Sequence, residues 1–275
     1  MSKFKGNNNH FQPNGGLLQE AEAVMQIVNA LKNEQFELYY QPYVHLVTGQ
    51  VLGVEALIRW HHPKEGLLLP GQFLPLAETT NVIIDIEKWV LHRALDEIKQ
   101  LNKLCNMNIK LSINISAIQF EQKTFYNKVM QALNRHQFPT HNLTLEITER
   151  FLLDENNIAL MEAIRSEGTR ISIDDFGTSY ASLQYLMKYP IDEIKIDRSF
   201  ITGIETNKRK LKIVQSLVSL GHDLGLTTIG EGVETVNQYK LLKSTGCKHA
   251  QGFLFNKPVP LSELVFLCKR TFSFE

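Results

Sequence analysis

Cysteine is scarce. Cys105, Cys247 and Cys268 are the three in 275 residues, and no two stand in C-x-x-C spacing. An odd count so spaced argues against a disulfide framework and a structural zinc site, and it fits a reducing cytosol. Net charge is missing as well, with 29 Lys+Arg against 29 Asp+Glu. A neutral chain lacks the broad field by which a nucleic-acid polymer or an anionic membrane is held. A local site for a small phosphorylated ligand is still compatible with it. No apolar stretch approaches the ~18 residues of a spanning helix, and the opening MSKFKGNNNHFQPNGG has no apolar signal core. The expectation is a soluble, cytoplasmic protein with no membrane span. G-x-S-x-G, H-E-x-x-H and G-x-x-x-x-G-K-[ST] are absent too, which removes support for serine-hydrolase, zinc-protease and P-loop chemistry.

What is present is ordinary in bulk, 43% hydrophobic and 21% charged, and regular in order. Residues 1–16, rich in Asn, Gly and Pro, read as a leader or linker remnant. Leu17 to Leu31 has helical spacing. Eight β-rich runs follow, at 36–46, 53–60, 110–116, 143–150, 170–176, 193–198, 227–233 and 249–255. Amphipathic segments such as 87–101 and 208–225 lie between them, with stops at Gly168, Pro190 and Gly246 and capping-box spacing at Thr235 and Gln238. Alternating strands and helices imply a parallel α/β sheet, and eight strands at this length imply a (β/α)8, TIM-like barrel. One link departs from this. Only about six residues around VTGQ join the first two runs, too few for the dozen or more of a parallel crossover. The spacing therefore predicts a hairpin, and a barrel with an antiparallel first strand. An open doubly wound sheet is the alternative, but its G-x-G-x-x-G signature is absent.

Active sites of such barrels lie at the C-terminal strand ends. Here those ends carry Glu55, Asn114, Glu146, Glu149, Asp174, Asp175, Lys195, Asp197, Glu231 and Glu234, with Arg59 nearby. One acid at a strand end is usually a cap or a surface ion pair; four or more on one rim have no such common reason. Crowded carboxylates raise one another's pKa, and bound metal is the simplest compensation. Oxygen-only ligands suit Mg²⁺ or Mn²⁺, and a pair of ions would support water attack on phosphorus. The residues thus point to metal-assisted hydrolysis of a phosphate ester. Lys195 and Asp197 share a strand face; Glu149 and Glu234 read as supporting rather than ligating. His61 and His62 read as loop residues, and His45, His222 and His249 as isolated polar positions. Cys247 and Cys268 read as core, and Phe176, Tyr180, Phe253 and Phe255 as mostly core.

The segments EALIRW (55–60), SINIS (112–116), LEITER (145–150), IDDFGTSYASL (173–183), IKIDRSFI (194–201), GEGVET (230–235) and QGFLF (251–255) resemble, in order, those of EAL-domain proteins. That family comprises bacterial cyclic di-GMP phosphodiesterases and inactive relatives. The likeness covers roughly residues 25–270, which divides the chain into a polar leader, 1–24, and an EAL domain, 25–275. It implies the substrate cyclic di-GMP, the product 5′-pGpG and, in the cell, signalling between motility and biofilm growth. It implies metal ligation by Glu55, Asn114, Glu146 and Asp174 at one ion and by Asp174, Asp175 and Glu231 about a second. Lys195 matches the lysine that holds the catalytic water, Glu231 the general base, and Glu55 and Asp175 count with them as catalytic. Gln41, Arg59 and Gln251 match substrate contacts; Glu149 matches the anchor of the loop after the paired aspartates. Ser179 and Ala181 stand where glycine and serine are common in that loop, and serine restricts the backbone there.

No ligand position is lost, so the resemblance implies an active enzyme. The competing readings are a weakly catalytic receptor that binds cyclic di-GMP and signals through a protein partner, and an interaction module with a vestigial site. Homodimerisation is implied by the family. With no sensory, cyclase or DNA-binding domain outside the barrel, the reading is a stand-alone EAL protein, or one piece of a longer chain with a regulatory protein or sensory domain supplied elsewhere.

Overall fold

The structure is a computed structural model that describes residues 17–153, 157–178 and 183–274. Its centre is a sheet of ten strands: β1 Phe36–His45, β2 Val51–His62, β3 Gly66–Leu68, β4 Lys110–Asn114, β5 Leu143–Thr148, β6 Arg170–Phe176, β7 Glu193–Ile196, β8 Thr227–Gly230, β9 His249–Gln251 and β10 Val259–Pro260. From β2 through β4 to β9 each strand pairs in parallel with the next. Strand β1 pairs antiparallel with both β2 and β9, which closes an eight-stranded barrel. The hairpin expected from the short VTGQ link is therefore present. Gly49 in that link has φ +70°, and a Cβ there would lie 1.9 Å from the Phe272 carbonyl oxygen; only glycine fits.

Period-two alternation explains the layering. Leu111 and Ile113, Leu143, Leu145 and Ile147, Ile171 and Ile173, and Ile194 and Ile196 occupy one face of their strands and are fully buried in the main core. The residues between them are mostly polar and face the lumen. Helices cover the outside, among them Leu17–Lys32, Val82–Cys105, Phe125–His136 and Lys208–Asp223. Helix Val82–Cys105 turns Ile83, Ile86, Val90, Leu91, Ala94 and Leu95 inward, the i, i+3, i+4 stripe of a half-buried helix. The Tyr40 hydroxyl donates to its buried Glu97 at 2.7 Å, tying the barrel seam to that helix. Thr235 and Gln238 form the expected capping box before helix Val236–Ser244. Helix Leu17–Lys32 runs across position 24, where the sequence reading placed a domain boundary.

Two readings need correction. His61 and His62 are the last residues of β2 rather than loop residues, because β2 outruns the barrel and pairs with β3 through Trp60–Leu68 and His61–Leu67. Phe253 is 53% exposed with Lys257 over its ring, not core. Tyr180, Ser179 and Ala181 lie outside the described residues.

Candidate active site

Register brings the acids together. Gln41 pairs with Glu55, Asn114 with Glu146 and Thr148 with Asp174 across adjacent strands, while Lys195, Glu231 and Gln251 complete the ring from β7, the end of β8 and β9. At its centre is the Lys195 ammonium, 1% exposed. Its Nζ lies 2.8 Å from Glu146 Oε2, 2.8 Å from Glu231 Oε1, 3.1 Å from Asp174 Oδ1 and 3.3 Å from Glu55 Oε2. Glu55 accepts two further bonds, from Asn114 Nδ2 at 2.7 Å and Gln251 Nε2 at 2.8 Å. The same Gln251 nitrogen reaches Gln41 Oε1 at 3.2 Å.

One cation cannot neutralise four carboxylates. Burial lowers the Lys195 pKa more than any single neighbour shifts it, yet Asp174, Glu146, Glu231 and Glu55 together hold it well above the usual lysine range. The acids bear the excess. Burial pushes Glu146 well above the carboxylate range and Glu231 to about 8, each helped by neighbouring acids and opposed by Lys195. Burial, then Asp174 and Asp197, raises Asp175. Asp174 Oδ1 is shut off from solvent and, among the described residues, has no hydrogen-bond donor; its 3.1 Å approach to Lys195 is a charge contact. Carboxylate oxygens of Asp174, Asp175 and Glu231 lie within 4.8 Å of one another. An orphaned buried oxygen among hard, all-oxygen donors fits a divalent cation such as Mg²⁺ or Mn²⁺.

The surrounding residues divide. Glu149 is 3% exposed and accepts the Gly177 amide at 2.5 Å, just after the paired aspartates. Asp175 itself takes φ +52°, an uncommon conformation that turns the chain between two acids. Asp197 lies close enough to Asp175 to raise its pKa, and it caps helix Arg198–Ile201 through the Ser199 amide. Glu234 is exposed, and its backbone amide donates to Gln238. Arg59 is four residues beyond Glu55 on the same face of β2, buried, over the Tyr39 ring and bonded to the Ile58 carbonyl at 2.9 Å.

The site has a part that sequence reasoning missed. A cavity of about 670 Å³ opens beside Asn114 and Asp175, with walls that include Ile83, Ile86 and Val90. Glu87 lines it, 7% exposed, with Oε1 accepting the Ser116 amide at 2.8 Å and Oε2 without a partner among the described residues. Burial lifts its pKa to about 7, against the Ser116 hydrogen bond. The signal was available: Glu87 stands four residues after Ile83 and three before Val90, inside the apolar stripe of its helix.

The EAL domain family profile matches residues 25–258. The bifunctional diguanylate cyclase/cyclic di-GMP phosphodiesterase MucR of Pseudomonas aeruginosa is 39% identical over 254 residues, 92% of this chain and 37% of its own. The cyclic di-GMP phosphodiesterase NbdA of the same species is 38% identical over 248 residues, 90% of this chain and 32% of its own. This chain thus spans about a third of the length of the curated relatives it matches. Among solved structures, the EAL enzyme Bd1971 with cAMP and cyclic di-GMP superposes with a TM-score of 0.89 at 35% identity, covering 93% of this chain and 70% of that one. The MucR phosphodiesterase–cyclic di-GMP complex gives 0.84 at 40% identity over 88% and 99%. By barrel topology, acidic rim and sequence, the chain belongs to the EAL domain family, whose relatives include cyclic di-GMP phosphodiesterases.

Proposed function

We propose that this protein is a divalent-metal-dependent phosphodiesterase that opens cyclic di-GMP to linear 5′-pGpG. The observation that carries the reading is the undiminished acid ring around Lys195, with Asp174 Oδ1 buried and without a hydrogen-bond donor among the described residues. Glu55, Asn114, Glu146 and Asp174 would hold one ion, and Asp174, Asp175 and Glu231 a second. When bound, such ions neutralise phosphate charge and lower the pKa of a water. In the reaction a water oxygen bonds to phosphorus, one P–O3′ bond breaks and the 3′ oxygen leaves as a hydroxyl, so a 5′-phosphate end results.

The chain's own groups supply the rest. Glu231, on the rim beside Asp174 and Asp175, is placed to accept the water proton. Lys195 keeps a fixed positive charge beneath the reacting phosphate. Gln251 and Gln41 orient Glu55, and Arg59 offers guanidinium nitrogens to a phosphate at the mouth. The cavity beside Asn114 suits a guanine base: apolar walls for its faces, and the Glu87 and Glu78 carboxyl groups as acceptors for its N1–H and 2-amino edge.

The test is a chromatographic time course of cyclic di-GMP with pure protein in Mg²⁺, Mn²⁺ or Ca²⁺, with Glu55→Ala alongside. Conversion to 5′-pGpG in Mg²⁺ or Mn²⁺, lost in the variant, is the expected result. Binding without conversion in any metal would overturn the enzyme reading and leave a receptor.

A further inference from the structure

The barrel lumen is charged at its other end too. Alternation puts Lys110 on the face of β4 that carries Asn114, Arg170 on the face of β6 that carries Asp174, Glu193 on that of Lys195, and His249 on that of Gln251. Their partners point into the acidic rim, so these four point into the lumen near the N-terminal mouth. His45, at the end of the reversed β1, pairs with His249, ring centroids 5.7 Å apart. These two histidines, read from the sequence as isolated, form a pair. Tyr43 separates the two ends of the lumen: its ring fills the space a side chain at position 53 would need, where a Cβ would meet it at 2.3–2.6 Å. Barrels of this type usually pack branched aliphatic residues here.

The charges at this mouth do not balance. Arg170 Nη2 lies 2.9 Å from Glu193 Oε1 and donates to Thr227 Oγ1 at 3.2 Å, which engages the one lumen carboxylate of the layer. Lys110 is half-buried and has no ion-pair partner among the described residues. The hydroxyl of the fully buried Ser172, on the same inward face as Arg170, and the Nδ1 of His249 have no hydrogen-bond partner among the described residues. Burial first, then the charges of His45, Lys110, Arg170 and Lys248, press the His249 pKa to about 4. Two fixed cations, Lys110 and Arg170, thus face one carboxylate, Glu193, beside two polar atoms closed to bulk water and unpaired among the described residues. A buried polar atom left unpaired is costly, and an oxyanion answers both deficits.

We propose that the N-terminal mouth of the barrel binds a small oxyanion of the phosphate class between Lys110 and Arg170, with His249 donating from Nδ1. This site is separate from the acidic rim and independent of the proposed hydrolysis. The experiment uses the full chain with histidine rings ¹³C-labelled, in chelator, titrated with inorganic phosphate at constant ionic strength; His249→Asn and His45→Asn assign the two signals. Expected is a saturable shift of the His249 and His45 ring signals with a Kd of about 1 mM or tighter, while His92 and His136 stay still. Lys110→Gln should weaken the Kd at least about tenfold, and Lys110→Arg should preserve it. Lys110→Gln should also keep the metal-dependent activity, which reports that it folds. No saturable shift, or one that Lys110→Gln leaves unchanged, overturns the proposal.

Discussion

Replacing Lys195 by methionine removes the one cation in contact with four acids. Each contact, at 2.8–3.3 Å, is worth about 5 kcal/mol at an effective dielectric of about 20. The four cannot simply be summed, because the acids can take up protons instead. Glu231 does so at almost no cost near pH 8, since its pKa is already about 8. Protonating an ordinary glutamate at that pH costs roughly 5 kcal/mol, at about 1.4 kcal/mol per pKa unit. Loss of one partner from a buried ion pair costs about 3–5 kcal/mol, and the same range emerges here from neutralising one more acid. Urea denaturation at pH 8 in chelator should therefore show Lys195→Met less stable by about 3–5 kcal/mol, with an unchanged m-value. Mn²⁺ should restore part of the loss, because it replaces the missing charge. Equal stability of variant and wild type in chelator would refute the view that Lys195 is the counter-charge of the ring.

Glu87 gives a pH prediction. Its folded pKa of about 7 lies above the ordinary value of 4.5, so its stabilising share is complete below about 4.5 and is lost as pH rises through about 7. Glu87→Gln should remove roughly 3 kcal/mol of that fall, seen as a shallower loss of denaturation free energy between pH 4 and 8. Gln251→Ala deletes amide bonds to Glu55 and Gln41; a bond to a charged group is worth about 1.5–3 kcal/mol, so kcat should drop about 10- to 100-fold in steady-state hydrolysis. Gly177 has φ +97°, and a Cβ there would lie 2.7 Å from the Phe200 ring. Gly177→Ala should cost about 1–3 kcal/mol in thermal unfolding and slow hydrolysis, because the Glu149 anchor to that amide moves with it.

The barrel was legible because its strands are short, aliphatic on alternate positions and closed by charged ends. The reversed first strand was legible from link length alone. The acid ring followed from strand ends, since Glu55, Glu146, Asp174 and Glu231 all meet around the Lys195 ammonium and Asn114 bonds Glu55. Other features needed three dimensions. Nothing local shows that β2 continues through His62, because its extension is paid out by pairing with β3, a three-residue strand. The place of Glu87 in the apolar stripe of its helix can be read from spacing, but only the fold shows that the stripe there lines a cavity. His45 and His249 are about two hundred residues apart and become neighbours only when β1 closes on β9.

That closure also explains why the first strand is reversed where the site needs it. Residues directly opposite in an antiparallel pair project to the same face. Gln41 opposite Glu55, and Tyr43 opposite Gln251, therefore all face the lumen. With β1 between them, β2 and β9 come within reach of one side chain, and the Gln251 amide bonds Glu55 on one strand and Gln41 on another. The seam of the barrel is thus held by an uncharged side chain at the point where the acid ring lacks a second cation. Had β1 been parallel, the link from its end to β2 would have to cross the barrel's length, and the short VTGQ turn could not make it. The turn, the reversal and the orientation of Glu55 form one chain of cause, from the five residues that link β1 to β2 to the carboxylate that the Glu55→Ala experiment removes.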